Sequence, residues 1–588
     1  MMKTKKYILT ALAAMTLGAV SCNDSDFLTE KPKTIYTIEN SFNTTDQVEA
    51  AVTNLYLHIR YWFTINNFMK GLGTDILDTP QWRSSGNGYS NFSTWSTSYG
   101  PTKDVYNAYY QLVAYANMAI YGAELETLTW DSDDAKNSAI GQSRFFRGFA
   151  YLTLGELFGG VPLVDQVYQT VKLDFVRSTR EETYKFAIAD LEAAVDALPE
   201  HPEEAGRVAK GAAYHYLAEA YLALATELNN DETYLQKSVD AASAAMSLHS
   251  LMTERFGTRA APTGGTAMNG VNAYYANGDV FFDLFQRGNL DYSEGNTEAL
   301  WTLENDYTVY HEHGGDNYLA YPRNFGPVMR NVYWKDSYKE NGANACPWDG
   351  NIDASAYPGS NVCAYLGGRT VSSVAPTEYV VDGVWNGQFA DDMRNSNSNI
   401  RRSFICLDRN HSMYGKVVTK DMLAESNLDR YYPIWTKFSP IDDWGYEDLA
   451  DGGNRSNMYR DDYACRLGET YLLRAEAYLR MGNKTKAAAD INVLRNRAHC
   501  SHLATEAEVD LNFILDERVR ELFLEERRWC TLLRMGGTVA ADHIKAHSYY
   551  MADHVSYTGN IDWNLFPIPQ SVIDANLNAV LEQNPGWD

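Results

Sequence analysis

The chain is short of cysteine, of basic clusters and of catalytic signatures, and each shortage removes a class of function. Seven Cys occur in 588 residues, with no CxxC pair and no Cys/His spacing of the zinc-binding kind, so no structural metal knot is expected. Fifty Lys and Arg face 76 Asp and Glu, a formal charge of −26, and no Lys/Arg-rich run offsets it. A protein that grips nucleic-acid phosphates needs the opposite balance, so no nucleic-acid partner is expected. GxSxG, HExxH, P-loop and strand-borne GxGxxG motifs are all missing. Carboxylates are plentiful, yet no stretch singles out two of them as a glycosidase pair. Beyond the N-terminus no run is apolar and long enough to span a bilayer. The expectation is a protein that is not an enzyme and needs no cofactor.

What is present is a large globular chain, 45% hydrophobic and 21% charged, which separates it from disordered sequences. Its first residues have a processing pattern. Lys3, Lys5 and Lys6 precede an apolar run from Tyr7 to Val20, and Leu17-Gly18-Ala19-Val20-Ser21-Cys22 places a Cys at the cut. This reads as a bacterial lipoprotein signal over 1–21, with Cys22 taking the lipid and an acidic tether over 22–40. The other cysteines are Cys346, Cys363, Cys406, Cys465, Cys500 and Cys530, an even number that permits disulfides in an exported protein. Cys346–Cys363 is the pair to test first.

Helical periodicity dominates both ends. The stretch Tyr463–Ala498 reads as a helix hairpin: Ala464, Leu467, Tyr471, Ala475, Tyr478 and Leu479 share a stripe, and Gly482-Asn483 breaks it. Ala487, Ile491, Leu494 and Ala498 then restart it. The spacing fits a tetratricopeptide hairpin, which needs neighbours to bury its apolar face. Those neighbours are expected in a helix starting near Asp46 behind a Thr44-x-x-Gln47 capping box, with Val48, Ala51, Val52, Leu55 and Ile59 inward. Further helices are expected over Asp104–Leu125, Ala135–Phe158, Tyr184–Leu198 behind Thr179-x-x-Glu182, Lys210–Leu228 and Tyr234–Leu248. Leu511–Leu533 reads as one long amphipathic helix. Residues 257–460 differ: periodicity is weak, Gly, Asn, Asp, Tyr and Trp are dense, and Ala299–Leu303 and Tyr379–Val384 suggest isolated strands. The fold class is therefore mainly α, a tetratricopeptide-like helix-hairpin scaffold over about 41–250 and 461–588, with a loop-rich insert over about 257–460 containing short strands.

Four stretches together resemble the SusD-like (RagB/SusD) family of surface lipoproteins. They are RFFRGFAYLTLGELFGGVPLV at 144–164, the hairpin at 463–498, ILDERVRELFLEERRWCTLLRMG at 514–536 and FPIPQSVIDANLNAVLEQNPGW at 566–587. The resemblance implies one fold over 41–588, an outer-membrane location facing outward through the lipid anchor, and a glycan ligand. It also implies a partner, a SusC-like TonB-dependent transporter. A surface glycoside hydrolase and a peptide-binding scaffold of the same architecture remain as alternatives.

A sugar ring offers an apolar C–H face and a hydroxyl rim, so a loop that combines a flat aromatic with Asn, Asp or Arg can bind it without covalent chemistry. Trp82, Arg83, Asn87 and Trp95 supply that mixture within 71–101, and Tyr307, Tyr310, Trp334 and Trp348 supply it in the insert. Trp301, in an alternating strand-like run, is assigned to the core. His311-Glu312-His313 with Asp316 has no further spaced ligand, so no metal site is assigned. Asp442, Asp443, Glu447, Asp448 and Asp451 lack EF-hand spacing and read as a solvated loop. Glu517–Arg520 and Glu525–Arg528 are expected to pair along one helix, and Arg144 and Arg147 to brace the scaffold.

Overall fold

The computed structural model describes residues 41–64, 68–79, 95–257, 278–305, 321–340, 346–349, 351–352, 365–366, 370–437, 460–548 and 564–587. Cys22 and the segments before and after it lie outside them. The principal helices are α1 Thr45–Thr64, α2 Gly100–Ala123, α3 Asp133–Phe158, α4 Arg180–Ala197, α5 Lys210–Glu227, α6 Glu232–Leu248, α7 Leu467–Arg480, α8 Lys484–Arg497, α9 Leu511–Leu522, α10 Arg528–Met535 and α11 Val539–His547. The strands are β1 Leu77–Asp78, β2 Ala299–Leu303, β3 Ala375–Pro376, β4 Ile400–Arg401, β5 Phe404–Ile405, β6 Val417–Val418, β7 Ile434–Trp435 and β8 Asp462–Arg466, each paired antiparallel with one other strand. The fold is mainly α, with consecutive helices packed as hairpins and α7 lying against α6, so that the hairpins stack as tetratricopeptide units do.

Local chemistry sets the helix ends. Thr179 and Glu182 form the reciprocal capping box of α4, and Gln47 Oε1 accepts from the backbone N–H groups of Asn43 and Thr44 ahead of α1. Gly482 sits at φ 75°, and Asn483 then caps α8 by accepting from the Lys486 N–H. Close approach of α3 to α4 rests on glycines seven residues apart. A Cβ on Gly141, Gly148 or Gly155 would lie 2.7–2.9 Å from Ala197, Leu191 or Tyr184, so larger residues would force the pair open. Val48, Val52, Leu55 and Ile59 are buried on α1, and Ala51 is half-buried.

Three expectations about secondary structure are corrected. Tyr463–Arg466 is not the first turn of a helix but most of β8, which pairs with β2 through Thr302↔Tyr463 and Leu303↔Asp462. Hydrogen bonding to a strand 160 residues away overrides the local helical spacing. Leu511–Leu533 is not one helix. It breaks at Phe523–Arg527, where Leu524 holds φ 66°, a strained conformation for a leucine that costs about 1–3 kcal/mol. The break sends Phe523 and Leu524 into the insert's core beside Trp435, while Trp529 enters the helical core. Tyr379–Val384 is not a strand either: Glu378–Val381 is one helical turn behind Thr377, followed by a 3₁₀ turn at Gly383–Trp385. Ala299–Leu303 is the expected strand, and Trp301 is core, packed edge-on against Phe145, Phe146 and Phe149.

Buried ion pairs join the insert to the scaffold. Glu521 on α9 accepts from Arg394 of the insert at 2.8 Å, from Arg466 at the end of β8 at 2.6 Å, and from Arg497 of α8. Arg466 also meets Glu298 at 2.7 Å and Glu525 at 2.5 Å, and Lys437 closes on Glu525 at 2.7 Å. Burial alone would raise the Glu521 carboxyl, but Arg497, Arg466 and Arg394 hold it well below the usual carboxylate range. Glu517–Arg520 forms as expected at 3.0 Å. Glu525 and Arg528 do not pair with each other; Arg528 is drawn to Asp75 at 2.5 Å and to Glu526. Arg147 braces α3 to α4 through Asp190 at 2.7 Å, with Arg144 4.0 Å from the same carboxylate. The five described cysteines are free thiols, and Cys346 Sγ donates to the Met329 carbonyl; Cys363, the other half of the pair to test first, lies outside the described residues. Removing one partner of the central network strands buried charge, so Glu521→Ala should lower unfolding free energy by about 3–5 kcal/mol. Denaturant titration of the variant checks this; a loss below about 1 kcal/mol would show the network to be dispensable.

Candidate functional site

The nominated aromatics fall into two groups. Trp82, Arg83 and Asn87, in 80–94, and Tyr307 and Tyr310, in 306–320, lie outside the described residues, as do His311–Asp316 and the acidic run at 442–451. The other three nominations are corrected: Trp95, Trp334 and Trp348 are buried and present no open ring face. Trp95 stacks on Tyr99 and closes an aromatic cluster with Phe68, Trp529 and Phe566. Trp334 stacks on His411, centroids 4.6 Å apart, and lies near-parallel to Tyr338. Trp348 donates its indole N–H to the Ile405 carbonyl at 2.8 Å. In a region with little regular structure these rings are the core, since each buries more apolar area than any aliphatic side chain.

A site missed by the sequence reading lies at the β5–β6 hairpin. Ser403 precedes β5 and Thr419 follows β6, so the hairpin brings both to one rim of a cavity of about 250 Å³. Val381, Val417, Val418 and Pro433 line it together with the largely buried Tyr431 and Tyr432; Asp382, Arg402 and Lys420 join the rim. The walls are fixed from behind. Tyr431 donates to the Val418 carbonyl at 2.8 Å, and Tyr432 shares a 2.7 Å hydrogen bond with Ser372. Arg402 donates to the Val381 carbonyl and to Asn395 Oδ1, both at 2.8 Å, with its guanidinium 3.8 Å from Asp382. An apolar floor with a rim of hydroxyls and charges suits a small neutral ring bearing hydroxyl groups. The signal was unreadable beforehand because its residues are spread over fifty positions. By contrast, a cavity of about 800 Å³ beside α1, α3 and α4 has five carboxylates and one Arg in its wall and no aromatic ring.

One grouping among the described residues has the spacing to hold a metal ion: carboxylate oxygens of Asp291, Glu304 and Asp461 lie within 4.8 Å of one another. The β2–β8 register produces it, because Leu303↔Asp462 places the next residues, Glu304 and Asp461, side by side at the strand ends. Burial, with Asp461 and Asp291 beside it, pushes the Glu304 carboxyl up to about 9. Burial, opposed by the Asn305 backbone N–H and helped by Asp291, raises Asp461 to about 7. The folded state thus keeps protons that the unfolded chain releases above the ordinary carboxylate range. Stability therefore falls as pH rises from about 4.5 toward about 9. Glu304→Gln should leave the melting temperature unchanged near pH 4.5 and raise it at pH 8. Equal melting temperatures for variant and wild type at pH 8 would show that the raised Glu304 carboxyl costs the folded state nothing.

Residues 383–587 match the model of the SusD family, and residues 26–222 match a family described as starch-binding associating with outer membrane. SusD-like protein P2 of Formosa agariphila is 31% identical over 226 residues, 37% of this chain and 43% of that protein. The starch-binding protein SusD of Bacteroides thetaiotaomicron is 38% identical over 126 residues, 21% of each chain. The matched stretches thus span less than half the length of these relatives. A solved laminarin-binding SusD-like protein superposes with a TM-score of 0.60 at 17% identity, over 93% of this chain and all of its own, a likeness of fold.

Proposed function

This chain is a SusD-like family member, and on that premise we propose that it is a non-catalytic receptor, lipid-anchored through Cys22 and facing outward at the outer membrane. It captures oligosaccharides and hands them to a TonB-dependent barrel. The observation that carries the reading is the match of both ends of the chain to family models, one of them described as starch-binding, on a fold shared with a laminarin-binding protein. The cavity at the β5–β6 hairpin supports it chemically. Val417 and Pro433 in its lining can pack on the C–H face of a sugar, while Arg402, Ser403 and Thr419 reach the hydroxyl rim. Trp82, Arg83, Asn87, Tyr307 and Tyr310 are assigned as further ligand contacts by residue type: stacking rings with amide and guanidinium donors.

Binding of this kind rests on a few hydrogen bonds and one or two stacked rings, so single truncations are informative. A hydrogen bond from a charged donor is worth roughly 1.5–3 kcal/mol, about ten- to a hundredfold in affinity. Calorimetry with malto-oligosaccharides, laminari-oligosaccharides and a wider glycan panel should find a ligand, with Arg402→Ala and Trp82→Ala each weakening it at least about tenfold. Binding unaffected by either change would displace the site; no binding to any glycan would end the receptor reading. Anchoring is tested separately. Cys22→Ser should move the protein from the membrane fraction to the soluble fraction without altering glycan affinity.

A further inference from the structure

The apolar lining of the β5–β6 cavity accounts for a hydroxylated ring but not for the charge around it. The lining holds two cations, Arg402 and Lys420, against one carboxylate, Asp382. That balance runs against a chain of 50 basic and 76 acidic residues, and against the cavity beside α1 with its five carboxylates and one Arg. Neither cation is closely paired. The Arg402 side chain is 27% exposed, and the two hydrogen bonds that hold it end on neutral oxygens, the Val381 carbonyl and Asn395 Oδ1. Asp382 stands 3.8 Å away, beyond the roughly 2.7–2.9 Å of a charge-assisted hydrogen bond, and is itself 72% exposed. Burial pushes the Arg402 guanidinium down, and Asp382 only partly offsets it. Lys420, exposed on the 3₁₀ turn Lys420–Met422, has no ion-pair partner among the described residues. Its neighbour Asp421 accepts from the Thr419 hydroxyl instead, and the Asp421 carbonyl accepts from Lys335 Nζ.

We propose that the glycan taken by this cavity bears an anionic group, a carboxylate or a sulfate ester, beside the seated ring; the inference rests on the receptor reading above. A guanidinium largely withdrawn from water gains most from a partner that brings a full charge, and a sugar hydroxyl brings none. Arg402 spends two N–H groups on the wall and keeps others for a ligand. Lys420 adds a point charge on a flexible stem, which meets an anion without a fixed geometry. The ring then packs on Val417 and Pro433, and the anion, on a substituent or on the next sugar, lies over the two cations. The chain's −26 repels a densely charged polyanion, so the fit is to a glycan whose acidic groups are sparse.

Calorimetry on the full-length lipoprotein in detergent, with two matched pairs of ligands, tests this. One pair is glucuronoxylan oligosaccharides before and after reduction of their carboxyls to alcohols. The other is sulfated galactan oligosaccharides before and after desulfation. The acidic member of at least one pair should bind at least about tenfold tighter than its neutral counterpart. Loss on carboxyl reduction assigns a uronate, and loss on desulfation a sulfate ester. Lys420→Glu should erase the preference at an unchanged melting temperature, and Asp382→Asn should increase it. A preference that survives Lys420→Glu overturns the inference, because the anion then lies elsewhere. Equal binding within both pairs, or binding confined to neutral malto- or laminari-oligosaccharides, also overturns it and leaves the receptor reading intact. Binding to none of these glycans ends the receptor reading, and this inference with it.

Discussion

The Glu521 carboxylate sits where the scaffold and the insert meet, and its three guanidinium partners come from three separate stretches of chain: Arg394, Arg466 and Arg497. Burying four charges is costly, and well-packed apolar side chains of similar volume can be as stable. What apolar side chains lack is direction. Each guanidinium presents a rigid fork of donors, so the network is satisfied only when β8, α8, α9 and the Asp392–Asn395 turn are in register. Leu524's strained backbone follows from the same constraint. The chain must leave the axis of α9 at once so that Glu525 can reach Arg466 and Lys437, Glu526 can reach Arg518, and Arg528 can reach Asp75.

The insert shows what such side chains do where regular structure is scarce. Its strands are two residues long apart from β2, so few backbone groups find partners in ladders. Long cations stand in for the missing ladders. Arg401 donates to the Tyr365 carbonyl, Arg402 to Val381, Arg520 to Val384 and Lys437 to Glu521. Each supplies a charged donor to a carbonyl that would otherwise be buried at a cost of about 1–3 kcal/mol. A surface built this way is irregular and fixed, and a cavity such as that at the β5–β6 hairpin needs both properties. Walls that are already in place spare a ligand the entropy of ordering them.

This also explains which parts of the molecule were legible in the sequence. Signals confined to a few neighbouring residues were read correctly: the Thr179–Glu182 cap, the Gly482-Asn483 stop, the strand at Ala299–Leu303 and the core role of Trp301. Signals that depend on distant partners were not. Tyr463–Arg466 carries helical spacing but serves as a strand because β2 lies beside it. The amphipathic run at 511–533 conceals a break that places Phe523 and Leu524 in the insert's core and lets Glu525 and Arg528 reach distant partners. Trp95, Trp334 and Trp348 sit among Gly, Asn and Asp as binding aromatics do, yet a region without long helices or strands needs the same rings to fill its interior. Composition cannot separate the two uses, because both call for a large flat side chain among turn-forming residues.

The distribution of polar and apolar side chains then assigns different work to different faces. Arg and Glu, which surfaces normally keep, are inside at the scaffold–insert junction, and Val and Leu, which cores normally keep, are outside at 171–176 and 577–580. Both inversions have a cost: desolvated charge in one place, hydrated hydrocarbon in the other. A chain that tolerates the first gains a junction that cannot slide. The second leaves four aliphatic side chains largely in water, each hydrated where a core would have dried it. The hydrogen bonds of Asn576, Asn578 and Arg177 hold the backbone of the two segments that carry them. A junction fixed from within thus coexists with exposed aliphatic side chains on a backbone that is itself held by hydrogen bonds.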